Sequence, residues 1–318
     1  MAQIFDWEFY VNNYEDLRKN GINTYEKALK HWNTYGKYEG RLSCNNDEVK
    51  KIKKDVVIFC MARYEKEYIK EFIQYHLFLG FDHIYLYDDE DVPIYKDLLD
   101  PSWPVTIIPI ILIKENASQR TKMLNHFFRN YKNKHFWAAC IDVDEFIVLK
   151  KHDNIHDFLN EYIPNNGGIG INWVLFGSNG HKVYTDKPVL ERFIKCGNPN
   201  QHIKTIFVCK DAIEMSNPHF VSRYRFGHTK STNNIKIPNA FNTNPDMSIC
   251  QINHYHTKSE EEYAQKQKRG SGIGIAGRGL INPKHYGKEQ FNAHDQNIHT
   301  DTFALDFYNK KKESKLSQ

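Results

Sequence analysis

The sequence has no uninterrupted apolar run of about eighteen residues, so it offers no transmembrane helix. Its first ten residues carry acids and aromatics where a secretory signal would place a basic stretch and then an apolar one. No C-x-x-C pair occurs: Cys44, Cys60, Cys140, Cys196, Cys209 and Cys250 lie far apart. That argues against a zinc site or a disulfide scaffold, and for reduced thiols in a cytoplasm-like compartment. No G-x-G-x-x-G or G-x-x-x-x-G-K follows the first apolar strand, which counts against dinucleotide oxidoreductases and P-loop enzymes. Charge of one sign is also scarce. A formal +4 over 318 residues, with Lys and Arg spread along the chain, makes no case for nucleic acid.

What is present is enough to build a core. A hydrophobic content of 40%, with 14% aromatic, sets disorder aside and suits one large domain or a medium one with additions. The organising stretch is His135 to Phe146, an apolar run that stops at Asp142, Asp144 and Glu145. A short continuous apolar run suits a strand covered on both faces, and ligands of open α/β sheets bind beyond such strand ends. Carboxylates gathered there repel one another unless a cation joins them, and a hard divalent ion with oxygen ligands is the natural candidate. The plain alternative is a solvated acidic loop, since Asp89-Glu90-Asp91 shows the same spacing elsewhere.

Residues 1–43 read as a separate helical module. Asp6 caps one short helix, Asn23 with Glu26 opens a second, and Ala28, Trp32 and Tyr35 share its inner face. Residues 44–54, rich in Asn and Lys, form the linker. From Asp55 the pattern becomes strand, helix, strand, strand, helix, strand, the rhythm of a nucleotide-binding α/β half. The strands are Val56–Met61, Ile84–Tyr87, Val105–Ile113 and the run ending at Asp142. Helices are expected over about Glu65 to Leu79 and Ser118 to Tyr131, and from Asn154 to Tyr162. Further on come a strand at Ile169–Phe176, a short helix after Pro188, and a strand at Ile203–Val208. Ser259 and Glu262 form a capping box for a charged helix. The Gly-rich stretch from Arg269 to Gly279 reads as mobile, and 271–318 as a polar extension.

Several blocks, in order, resemble one family. Ala62-Arg63-Tyr64-Glu65, Tyr75-His76 and Gly80 to Asp88 look like the opening of family 2 and family 92-type glycosyltransferases. Asp142-Val143-Asp144-Glu145-Phe146 looks like their metal motif. Asn253-His254-Tyr255, with Lys258-Ser259-Glu260-Glu261 and Lys268-Arg269-Gly270, looks like their C-terminal block. Tyr64 departs from the pattern, standing where Asn is expected. The module at 1–43 resembles one appended to many bacterial and giant-virus proteins, which implies an accessory part. The location expected is the cytoplasm, or the host cytoplasm or virion for a viral chain.

The resemblance implies a GT-A fold over 55–270, a Rossmann-like nucleotide-diphospho-sugar transferase. It further implies a nucleotide-sugar donor, most simply a UDP-sugar, a glycan or protein-linked acceptor, Mn²⁺ or Mg²⁺, and inversion at the anomeric carbon. By resemblance Asp144 binds the metal directly, Asp142 sits near the ribose or a metal-bound water, and His254 completes the site, with His256 a rival. Arg63, Glu65 and Asp88 follow the first two strands, where base and ribose belong, although Arg63 can equally pair with Glu67. Lys204 can meet the diphosphate or be a solvated strand lysine. Trp173 and Phe176 offer a sugar platform or ordinary core. An inverting reaction needs a general base at the acceptor hydroxyl. Glu191 is the first choice and Asp186 the second, although an acid in a first helical turn is favoured by the macrodipole alone. Two rival functions stand beside this one: a two-metal phosphohydrolase using both acidic strand ends, and a non-catalytic nucleotide- or sugar-binding relic of the fold.

Overall fold

The structure, a computed structural model, describes residues 5–43, 54–269 and 287–316. The chain divides into two compact units, Met1–Lys54 and Asp55–Gln318. No helix among the described residues is long and apolar enough to cross a membrane. The Gly-rich stretch after Arg269 lies outside the described residues.

The first unit holds α1 (Trp7–Asn13), α2 (Glu15–Lys19) and α3 (Tyr25–His31) around Tyr10, Val11, Leu17, Ala28 and Trp32. Asp6 caps α1 by accepting from the Phe9 amide at 3.0 Å. The cap of α3 is Thr24, not Asn23; its hydroxyl accepts from the Lys27 amide. After α3 the helix widens into a π-helical turn over Trp32–Gly36. That turn shifts the register, so Trp32 is buried while Tyr35 is 57% exposed instead of joining the inner face.

The second unit opens with β1 (Val56–Ala62), α4 (Ile69–Leu79), β2 (His83–Asp88), α5 (Tyr95–Leu98) and β3 (Val105–Pro109). Then come α6 (Gln119–Asn130), β4 (Trp137–Cys140), β5 (Glu145–Leu149), α7 (Ile155–Tyr162) and β6 (Gly168–Phe176). Next are α8 (Val189–Arg192), β7 (Lys195–Val208), and the short strands β8 (Ala212–Glu214), β9 (Arg223–Tyr224) and β10 (Thr229–Lys230). The chain closes with β11 (Cys250–His254), α9 (Glu260–Arg269), α10 (Lys288–His294), β12 (His299–Thr300) and α11 (Phe303–Leu316).

The main sheet runs β3-β2-β1-β4-β7-β6-β11-β5. Strands β3, β2, β1 and β4 are parallel, so β1, β2 and β4 all finish on one edge of the sheet. From there the sheet turns mixed: β7 is antiparallel to both β4 and β6, β11 is parallel to β6, and β5 is antiparallel to β11. Local sequence explains the elements. In α4, Ile69, Phe72, Ile73 and His76 recur at helical spacing and are buried, and Gly80 ends the helix at φ 103°, a conformation glycine adopts without a Cβ clash. Ser118 caps α6 and Asn154 caps α7. The tail beyond 286 gave little sequence pattern, yet it is part of the second unit: β12 pairs with β7, and Tyr308 of α11 donates to Gln74 of α4.

Candidate metal centre and donor site

Four fully apolar residues, Trp137 to Cys140, bury β4 in the middle of the sheet. The chain then leaves the sheet at Ile141 and re-enters it at Glu145 as the far edge strand β5. The loop that crosses the sheet end is Asp142–Asp144. It is pinned at one side by the Glu145 amide donating to the Asp142 carbonyl, and at the other by the Tyr255 amide donating to the Asp144 carbonyl. Pairing of β5 with β11 sets His254 directly opposite Glu145. The acidic loop and the late histidine, more than a hundred residues apart in sequence, are therefore neighbours by strand register.

The two aspartates have different partners. Asp142 meets Lys204 of β7, whose Nζ lies 2.8 Å from Asp142 Oδ2 and 3.2 Å from Glu145 Oε2. The Lys204 side chain is only 1% exposed, that of Asp142 40%. Burial alone would raise the Asp142 carboxyl; the Lys204 ammonium, with Arg120 adding to it, overrides this and holds Asp142 below the usual carboxylate range. Glu145 goes the other way. Burial pushes it up to about 8, with the neighbouring aspartates adding to the rise, because one ammonium cannot serve two carboxylates equally. Lys204 is thus an internal counter-ion of the acidic loop and not the solvated strand lysine of the plain alternative.

Asp144 faces a different group. Its Oδ2 lies 2.6 Å from Lys266 Nζ, and its Oδ1 3.6 Å from His254 Nε2. Burial works against its charge, but Lys266 and then His254 hold the carboxyl well below its ordinary range. Burial likewise lowers both His254 and His256, so both rings are neutral near pH 7. One ligand atom each from Asp144, His254 and His256 lie within 4.8 Å of one another. An ionised carboxylate and two neutral imidazoles are in the protonation states a divalent ion requires. With no thiolate among them, the set suits Mn²⁺ or another borderline-to-hard ion. His254 Nδ1 is buried and has no hydrogen-bond partner among the described residues. The donor set fits a divalent cation, with His256 where Asp142 had been expected.

Beside this cluster lies a cavity of about 150 Å³ lined by Tyr64, Tyr68, His256, Lys258, Gln265 and Lys266. The capping box at the start of α9 places the last two. Ser259 Oγ accepts from the Glu262 amide while Glu262 accepts from the Ser259 amide. Glu262 is in turn gripped by the buried Arg192 through two bonds of 2.8 and 2.9 Å, and by the Tyr68 hydroxyl. Lys258 holds a left-handed φ of 50°, and its Nζ sits 3.8 Å above the Tyr68 ring and 3.7 Å from Glu65.

The remaining expected residues divide. Glu65 is buried at the cavity wall. Arg63 pairs with Asp91 at 3.6 Å, not with Glu67, and also donates to the Asp89 carbonyl. Asp88 cannot touch a ribose: it is fully buried, and its oxygens accept from the amides of Glu90, Ile94 and Tyr95. Of the two aromatics, Trp173 borders the centre, 4.3 Å from the His254 ring and stacked on His202, while Phe176 is core against Tyr255. Glu191 and Asp186 are exposed. Glu191 precedes Arg192, which binds Glu262 at the cavity wall, and neither Glu191 nor Asp186 is among the ligand atoms gathered at Asp144. Sequence reasoning missed Lys266 and Arg192 as site-builders. The helical spacing of Ser259, Glu262 and Lys266 (i, i+3, i+7) was the signal available for one shared face.

A parallel β3-β2-β1-β4 half, extended by mixed strands, with an acidic loop across the end of β4, defines a Rossmann-like GT-A fold. The model of glycosyltransferase family 92 matches residues 55–273, and the chain belongs to that family. It is a glycosyltransferase. No curated protein matches the chain.

Proposed function

We propose that the protein transfers a sugar from a nucleotide-sugar donor, a UDP-sugar in the first instance, to a hydroxyl of a glycan or protein-linked acceptor, and that it needs a divalent metal to do so. The observation that carries this reading is the convergence of Asp144, His254 and His256 beside a cavity lined by two lysines. Mn²⁺ or Mg²⁺ held by those three side chains would neutralise charge growing on the leaving diphosphate. Lys258 and Lys266 offer cationic donors to diphosphate oxygens in the cavity. Lys204 keeps Asp142 ionised and oriented at the loop's rim. Trp173 supplies an apolar wall against which a sugar ring can lie. Inversion by a single displacement remains the mechanism proposed. Its base acts on the face opposite the leaving diphosphate, away from the metal ligands, and exposed Glu191 and then Asp186 remain the candidates for it. Against the two-metal hydrolase reading, Asp88 is spent on backbone amides, Glu90 accepts from the Tyr64 amide and the Tyr95 hydroxyl, and Asp91 pairs with Arg63.

The test is incubation with a panel of UDP- and GDP-sugars and Mn²⁺, following slow donor hydrolysis. One donor should be hydrolysed, and chelation or Asp144→Asn should abolish the reaction. Hydrolysis that proceeds equally under chelator contradicts metal dependence.

A further inference from the structure

The Lys266 ammonium sits against two of the three residues, Asp144 and His256, that a divalent ion would use. It sits 2.6 Å from Asp144 Oδ2, 3.1 Å from His256 Nδ1 and 3.2 Å from the His256 carbonyl. An ammonium has three N–H donors, and these are three acceptors, so the group is fully satisfied where it stands. All three belong to Asp144 and His256, and two of them are side-chain atoms of the kind that would ligate a metal. A metal that takes Asp144 Oδ2 or His256 Nδ1 competes with the ammonium for the same lone pairs, and two cations on one buried carboxylate repel. We propose that Lys266 is a resident counter-cation that a divalent ion must displace, and that this displacement makes metal binding conditional on the donor's diphosphate.

Charge and geometry give the conditional part. With Lys266 in place, the single carboxylate of the cluster is already neutralised. Replacing the ammonium by a divalent ion adds positive charge to a buried centre and sends a second cation towards the cavity that Lys266 and Lys258 both line. Lys258 already draws on Glu65 and the Tyr68 ring there. Metal alone therefore leaves excess positive charge in a poorly solvated place, which is costly. A nucleoside diphosphate removes that excess, since its oxygens can meet both the metal and the released Lys266. The two ligands then bind with positive coupling, and coupling of this kind is reciprocal. The helix that carries Lys266 is held at its start by the Arg192–Glu262 pair, so the swing is confined to the lysine side chain.

This inference rests on reading the cluster as a metal centre, and the experiment separates the two. Mn²⁺ is titrated calorimetrically into the full chain, with and without UDP and then GDP, for the parent protein and Lys266→Met. The parent should bind Mn²⁺ weakly alone and more tightly with a diphosphate. Lys266→Met should bind Mn²⁺ alone about tenfold or more tighter than the parent, the scale of one charge-assisted hydrogen bond removed, with a smaller gain from nucleotide. Unchanged or weaker Mn²⁺ binding in Lys266→Met, with the nucleotide gain intact, overturns the role of Lys266 while leaving the metal centre standing. No Mn²⁺ binding in either protein, with or without nucleotide, overturns both. Should Lys266→Met fail to fold, Lys266→Gln keeps a donor to Asp144 without the charge and carries the same comparison.

Discussion

At the scale of single residues, the two aspartates of the acidic loop look equivalent in sequence and are not. Asp142 is tied to a buried lysine from the neighbouring strand, and Asp144 to an exchangeable one from a helix. Lys204→Met should therefore be a stability mutation first. It strands Asp142 and Glu145 without their shared ammonium; because the Asp142 side chain is 40% exposed and burial already favours neutral Glu145, the loss should be about 1–3 kcal/mol. Urea unfolding checks this, and a loss well under 1 kcal/mol would show that the pair is dispensable. Glu191→Gln should leave donor affinity near normal, because Glu191 is exposed and is not among the ligand atoms gathered at Asp144. Lost transfer with that affinity retained would assign it as the base, and near-normal transfer would remove it from the site. Sequence could not separate such cases. Asp88 and Asp142 both end a strand, and nothing local reveals that three loop amides claim the first. Trp173 and Phe176 also look alike in sequence, but the pairing of β6 with β7 shifts register between Asn172 and Phe176, and only Trp173 reaches the centre.

At the scale of elements, most of what was legible came from caps and periodicity. The buried faces of α4 and α6, the Asn154 cap and the Ser259–Glu262 box all follow from spacing. What spacing could not show is where α9 lies once formed, which is fixed by the Arg192–Glu262 pair across seventy residues. Element α4 also carries a titration signature. His76 is fully buried, its Nδ1 bonded to the Phe72 carbonyl at 2.8 Å, and burial lowers it to about 3. An unfolded histidine titrates near 6.5, so between about pH 3 and 6.5 the unfolded chain binds the extra proton. Stability thus rises with pH across that window, and is lost as pH falls through it. Half-buried His219, also lowered to about 3, acts in the same direction. One such group contributes a slope of about 1.4 kcal/mol per pH unit. The stability–pH slope of His76→Gln, measured by denaturant melts from pH 4 to 6, should be shallower than that of the parent by about this much. An identical slope would mean that His76 is protonated in the folded state.

At the scale of the whole molecule, the alternation of strands and helices from Asp55 announced the parallel half of the sheet, because each strand is a continuous apolar run. The mixed half was less legible. β7 is a fourteen-residue strand that includes Pro199 and polar stretches, and only its apolar end, Ile203–Val208, was read as strand. The last thirty described residues looked like a polar extension, yet β12 and α11 are built into the second unit. The first unit has its own core of Tyr10, Val11, Leu17, Ala28 and Trp32. A chain beginning at residue 54 should fold and bind nucleotide as the full chain does. A soluble protein of that length that has lost all nucleotide binding would show that the module belongs to the donor site. The claim on which the account turns is that Asp144, His254 and His256, and not Asp142, hold the metal. The most direct measurement is Mn²⁺ binding in the presence of UDP, read by electron paramagnetic resonance of free Mn²⁺, for Asp142→Asn, Asp144→Asn and His256→Ala. The account predicts that Asp142→Asn still takes up the ion while Asp144→Asn and His256→Ala do not. Uptake by His256→Ala together with its loss in Asp142→Asn would contradict it.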